Sequence, residues 1–279
     1  MHTKINKETL VQRAAGGDRA ALEETLAGVQ ELVFNLSLRM LGTFHDAEDA
    51  SQDILVKVMT RLSSFRGESA FDTWVFRIAV NHLRDYKKHL FAQRPLSFEF
   101  YGEDIRSGRA SDVPDLTGGV DTPLLARELK LSCTNVMLQC LDPESRCAFI
   151  LGTMFHLDSR AAGDILDLTP EAYRQRLSRA RRRMADFLSD YCGEYGNGTC
   201  RCANRVNYAI QNRRIAPDRL EFTAARPSET ALEVTAAMEE LDGLAQQFSF
   251  CRLYQSPERL KGMLRDILEG PAFSAVARA

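Results

Sequence analysis

The chain has 279 residues, 44% of them hydrophobic and 27% charged, with 36 Lys and Arg against 38 Asp and Glu for a net charge of −2. That balance is ordinary for a globular protein and excludes collagen-like, mucin-like and wholly disordered chains. At ~100–200 residues per domain the length predicts two or three domains. No apolar run reaches the ~20 residues of a membrane span, and MHTKINKETL has no apolar signal core, so a cytoplasmic protein without a membrane partner is expected. A near-neutral total argues against a nucleic-acid binder only when the charge is evenly spread, and here it is not.

Residues 8–90 read as a run of helices. Leu22, Leu26, Val29, Val33, Leu36 and Met40 recur at threes and fours, and Pro is absent from 1–94. A break at Gly42-Thr43 precedes a second helix, DAEDASQDILVKVMTRL, whose acidic first turn suits the positive end of a helix dipole. After the loop SSFRGES a third helix runs from about Phe71 to His89. Residues 91–122 are rich in Pro, Ser and Gly and lose periodicity, which reads as a flexible linker. Residues 123–190 are helical again and end in a short helix, a turn at Thr169-Pro170 and a longer helix, the layout of a helix-turn-helix. Residues 191–279 open with CGEYGNGTCRC and a short helix at about 203–213. Two amphipathic helices close the chain: about 228–249 (Leu232, Met238, Leu241, Leu244, Phe248), with Thr230 and Glu233 as a capping box, and about 257–269 (Leu260, Met263, Leu264, Ile267, Leu268). The fold class is therefore all-α.

Between Glu171 and Leu188 six Arg face only two acids, a local charge of +4. Tyr173, Leu177, Ala180, Met184 and Phe187 should pack inward. Arg174, Gln175, Ser178, Arg179 and Arg182 then face outward, and Arg and Gln make bidentate contacts to guanine and adenine in a major groove. The remaining Arg, among them Arg176, would neutralise phosphate. The plainer reading is a solvated basic helix with local ion pairs, which the preceding short helix and turn weaken.

The second helix exposes Asp46, Glu48, Asp49, Gln52 and Asp53. These read either as N-terminal capping or as a negative docking face for a basic protein. The next segment interleaves Phe65, Phe71, Trp74, Phe76 and Tyr86 with Arg66, Arg77, Arg84, Lys87 and Lys88. Aromatic faces beside cations hold unpaired bases, although some of these rings must also belong to the core. Phe65, Arg66 and Ser69, in the loop, are the better candidates for touching a strand.

Asp46-Ala47-Glu48-Asp49, Gln52-Asp53, the loop Phe65-Arg66-Gly67-Glu68-Ser69, then Thr73-Trp74-Val75-Phe76-Arg77-Ile78-Ala79 and Asn81, resemble the second domain of extracytoplasmic-function (ECF) sigma factors of bacterial RNA polymerase. Arg176-Leu177-Ser178-Arg179-Ala180-Arg181 resembles the recognition helix of their fourth domain. The ordered match spans about 8–190. It implies two helical sigma domains, at 8–90 and 123–190, joined by the linker 91–122, and the helical extension at 191–279 lies beyond it. It implies core RNA polymerase (largest and second-largest subunits) and promoter DNA as partners, with no enzymatic chemistry in this chain. By resemblance, the acids at 46–53 dock on the polymerase clamp. Phe65, Arg66, Ser69, Trp74, Arg77, Asn81, Arg84 and Lys87 then serve the −10 element, and Glu171, Arg174, Gln175, Arg176, Ser178, Arg179 and Arg182 the −35 element. The acids Glu99, Asp104, Asp112, Asp115 and Asp121 fit a linker that enters the polymerase where RNA phosphates later pass. Tyr173 stands where the family often has a small β-branched residue, and about 90 residues extend beyond the family's usual end.

Seven Cys is an odd number in a reducing compartment, so no disulfide framework is expected. Cys133, Cys140 and Cys147 sit among apolar neighbours, as core residues do. Cys192, Cys200 and Cys202, with Cys251 as a candidate fourth ligand, read as a zinc or other thiolate-bound metal site, as a redox pair tuned by Arg201 and Arg205, or as a structural turn. No cofactor is required by the reading as a whole. The extension is expected to regulate the factor in cis, in place of or beside a separate anti-sigma partner. A stand-alone helix-turn-helix regulator would leave the acidic helix and the aromatic-basic segment unexplained. A thiol or zinc enzyme would lack a nucleophile–base pair.

Overall fold

Gly42 turns left-handed at φ 94° and its N–H bonds the Leu38 carbonyl at 2.8 Å, which ends one long helix one residue before the next is capped. The computed structural model describes residues 7–90, 96–107, 114–225 and 253–269, with residues 86–90 and 264 described by backbone alone. These fall into two units, the first comprising 7–90, 163–168 and 256–269, the second the remainder. Among the described residues there is no strand, only isolated bridges at Cys192–Cys200 and Ala216–Arg219.

The first unit is built around α2 (Arg19–Leu41), buried on all sides from Val33 to Leu41. Around it pack α1 (Lys7–Ala15), α3 (Phe44–Arg61) and α4 (Phe71–Leu90). Asp18 caps α2 by accepting from the Ala21 N–H at 3.1 Å, and Thr43 caps α3 through the Asp46 N–H at 3.1 Å. The six residues of the expected apolar stripe, Leu22 to Met40, are all buried, as are Ile54, Leu55 and Val58 on α3 and Val75, Ala79 and Leu83 on α4.

In the second unit come α5 (Phe98–Ser107), α6 (Thr122–Gln139) and α7 (Pro143–Phe149), the last continuing into a π-turn at Ile150–Met154. The short helix α8 (Ser159–Leu166), whose residues from 163 group with the first unit, and a turn with Asp167 at φ 56° lead into α9 (Pro170–Tyr191). Cys202–Arg205 is a 3-10 turn that opens α10 (Val206–Gln211). The final described helix, α11 (Glu258–Glu269), belongs to the first unit.

Two expectations change. Residues 91–122 read as an unstructured linker, yet 98–107 form α5. Phe98, Tyr101 and Ile105 fall at helical spacing and are buried, with the Phe98 and Tyr101 rings 5.2 and 5.4 Å from that of Phe187. Gly102 lets the Tyr191 ring approach a backbone that any Cβ would block. Nor does the chain change unit at 190: Val206, Ala209 and Ile215 share one apolar cluster with Leu125 and Leu129 of α6. The expected helix 228–249, its Thr230–Glu233 cap, Cys251 and Asp112 lie outside the described residues.

Candidate nucleic-acid interface

On α3 the inward positions are Ala47, Ala50, Ser51 and Ile54. That leaves Asp46, Glu48, Asp49, Gln52 and Asp53 toward the surface, the first four half-buried and Asp53 exposed. Asp46 accepts from the Thr43 hydroxyl at 2.6 Å and so serves the helix cap. Asp49 lies 3.3 Å from His45, Asp53 3.8 Å from His82, and Glu48 3.6 Å from Arg259. Burial, and then Lys57 with its Nζ 2.6 Å from Nδ1, hold the His82 imidazole below its ordinary pKa.

Phe65 does not stand free in the loop. Its ring lies 5.4 Å from Phe71 and 5.5 Å from Trp74, which stack on each other at 5.7 Å. Arg66 is exposed and Ser69 half-buried. Trp74, Arg77 and Asn81 fall on one side of α4 and line a cavity of about 210 Å3 together with Ile78, Arg61 and Ser64. The sequence marks the first three; Arg61 and Ser64, at the end of α3 and in the following turn, carry no local signal. Arg84 is half-buried, and Lys87 lies on the described backbone of α4 while its side chain is outside the description.

Thr169 caps α9 by accepting from the Ala172 N–H at 3.2 Å, and Pro170 takes the first helical position. Tyr173, Ala180, Met184 and Phe187 are buried and Leu177 is half-buried. Glu171, Arg174, Gln175, Ser178, Arg179 and Arg182 are exposed, with Arg176 half-buried, so these side chains lie on the outer face of α9. Arg174 is held by the Ser159 hydroxyl at 3.0 Å and by Glu171 at 2.5 Å. One expectation is corrected: Arg181 donates to the Thr153 hydroxyl at 3.1 Å and the Gly152 carbonyl at 3.2 Å, so it braces the π-turn rather than waiting for phosphate. Tyr173 fits because Gly152 leaves room for its phenol, which donates to the Ala148 carbonyl at 3.2 Å.

Cys192 and Cys200 pair through backbone, with the Gly193 N–H donating to the Cys200 carbonyl at 3.0 Å. Both line one small cavity with Cys202 and with Cys133 of α6, a neighbour the sequence places only in the core. All four are free thiols. Burial pushes Cys133 up to about 11 and Cys202 up to about 12, and it raises Cys200 despite Arg205. Arg205 itself is turned to Asp104 at 3.2 Å. Among the described residues no three His, Cys, Asp or Glu are grouped to hold a metal ion.

Asp104 also accepts from the Tyr208 hydroxyl at 2.8 Å and from Arg214. Burial works against its ionised form, but these donors hold its carboxyl below the usual range. Asp104 is therefore not a free linker acid. Asp115 is likewise engaged, at 3.0 Å from the Thr117 N–H, whereas Glu99 is exposed. Glu128, buried on α6, accepts from the N–H groups of Glu221, Phe222 and Thr223 at 2.8, 2.9 and 2.7 Å. The first part of the extension is thereby fastened to α6.

Residues 27–90 match the family Sigma-70 region 2. The chain is 31% identical over 193 residues to the ECF RNA polymerase sigma-E factor of Haemophilus influenzae, covering 98% of that protein and 67% of this one. It is 27% identical over 190 residues to the RNA polymerase sigma-H factor of Pseudomonas aeruginosa, covering 96% of that protein and 67% of this one. A solved structure of CnrH in complex with the cytosolic domain of CnrY aligns over 64% of this chain and 94% of that one, at 23% identity and a TM-score of 0.47. About a third of this chain has no counterpart in the Haemophilus protein. With that relationship, the capped acidic helix, the aromatic-basic cavity and the exposed arginine face fall into place: the chain belongs to the extracytoplasmic-function family of RNA polymerase sigma factors.

Proposed function

We propose that this sigma factor docks on core RNA polymerase through α3, holds the unpaired −10 strand at the cavity beside α4, and reads −35 duplex DNA with the exposed face of α9. The observation that carries the reading is the convergence of Trp74, Arg77 and Asn81 on one cavity. An indole face, a guanidinium and a carboxamide are what a displaced base needs: a stacking surface, a charge for its phosphate and a hydrogen-bonding edge. A regulator that binds only duplex DNA has no use for that combination. On α9, Gln175 and Arg179 are free to reach base edges, while Arg174 is pre-oriented by Ser159.

The chain supplies recognition and the polymerase supplies the chemistry, so it is not an enzyme and it works in the cytoplasm with its polymerase. No described helix is long and apolar enough to cross a membrane. The thiols of Cys192, Cys200 and Cys202 serve the packing of the extension, since burial favours the neutral form of Cys200 and Cys202. Metal analysis of the purified protein tests this against zinc: one equivalent of tightly held metal, lost in Cys200→Ser and Cys202→Ser, would overturn it.

Run-off transcription with core polymerase on a genomic promoter library tests the main reading. Selective initiation is expected. Sequence-specific DNA binding with no initiation would favour the stand-alone regulator instead.

A further inference from the structure

We propose that α11, near the C-terminus, is a built-in competitor that covers the docking face of α3 and that core polymerase must displace it. The inference rests on the reading of α3 as the docking helix. It is carried by what α11 touches: the helix packs on α2 and α3, the two helices at the centre of the first unit.

Leu260 and Leu268 anchor it, at 1% and 3% exposure. Eight residues apart, they lie on one face of the helix. Arg259 Nη1 reaches Glu48 Oε2 at 3.6 Å. The Glu48 side chain is 17% exposed, whereas that of Asp53, five residues on, is 61% exposed. One of the five candidate docking residues is thus largely buried and ion-paired with a segment of the same chain. A partner that binds α3 through its acids has to break that pair.

The helix is also built to leave. Twelve residues are too few for a stable isolated helix, so α11 exists by virtue of its packing. Gly262 sits in its middle although a Cβ there would meet nothing within 4 Å and its backbone is ordinary right-handed helix. Neither space nor backbone geometry demands glycine at 262, and glycine lowers helix stability. Because α11 is tethered, a weak contact suffices to cover the face at rest, and a stronger external partner can still win.

Three full-length variants and one control decide the matter, read by equilibrium binding to core polymerase and by hydrogen exchange over 258–269. Leu260→Asp and Arg259→Glu are expected to tighten polymerase binding several-fold and to speed exchange in α11. Gly262→Ala is expected to do the reverse, weakening binding several-fold. The control, Asp49→Lys with Gln52→Ala, is expected to weaken binding through α3 itself. If that control binds normally, the docking reading fails and the competition fails with it. If the control loses binding while all three α11 variants match the wild type, docking stands and the competition alone is overturned.

Discussion

The phenol of Tyr173 stands directly against Gly152, so that α9 and the π-turn meet where one side chain is large and the other is absent. Gly152→Ala should therefore strain the helix-turn-helix. Overpacking of a filled core typically costs ~1–3 kcal/mol, and denaturant unfolding should show a destabilisation in that range. The effect should shrink in a Tyr173→Phe background, where the hydroxyl that faces the new methyl is gone.

Phosphate-contacting and base-contacting residues of α9 should separate by salt dependence. Arg176→Ala should weaken holoenzyme binding to all promoters alike and lower the slope of log K against log salt by ~0.9 for each phosphate that the guanidinium neutralises. Gln175→Ala should relax choice at one −35 base pair, at ~1–3 kcal/mol for a bidentate pair that no longer forms. Arg181→Ala should destabilise the domain instead, because its guanidinium braces Thr153 and Gly152.

Trp74→Ala should spare closed-complex formation and impair melting. Stacked bases are worth ~1–3 kcal/mol each, so permanganate reactivity across the −10 region should fall about tenfold or more. Asn81→Ala and Arg61→Ala should act in the same direction with smaller effect, since both residues line the same cavity.

Stability of the first unit should fall on mild acidification. His82 is held below its ordinary 6.5 by burial and by Lys57, against the opposing pull of Asp53 and Asp85. The unfolded chain takes up a proton near 6.5 that the folded one refuses, so stability is retained above 6.5 and lost as pH drops below it. Thermal melts between about pH 7.5 and 5.5 should show this loss, and His82→Gln should flatten it. The thiols titrate in the opposite sense. Cys133 and Cys202, at about 11 and about 12, stay protonated where unfolded thiols ionise near 9, so the second unit should lose stability as pH rises above 9. At about pH 8 both should resist iodoacetamide until the protein is unfolded.

The long helices were legible because their apolar residues repeat over several turns, as from Leu22 to Met40. Helix α5 was not. Its triad of Phe98, Tyr101 and Ile105 is short and flanked by Pro95 and Gly108, and the helix depends on the distant Phe187 ring. Gly102 reads as a breaker until Tyr191 is seen against it. Glu128 resembles any acid on a helix surface until the 221–223 backbone folds onto it. On α4 and α9 helical spacing separates outward from inward residues, while their assignment to the −10 and −35 elements rests on the family resemblance. Arg61 and Ser64 join the cavity only through the turn between α3 and α4, and Cys133 meets the other thiols only through packing.

Mapping of transcript 5′ ends made by core polymerase on a genomic library, with and without this protein, tests the assignment as a promoter-specificity subunit most directly. New start sites are predicted, preceded by shared −35 and −10 elements at fixed spacing, with Trp74→Ala and Arg179→Ala each reducing initiation from them. Identical start sites with and without the protein would contradict it.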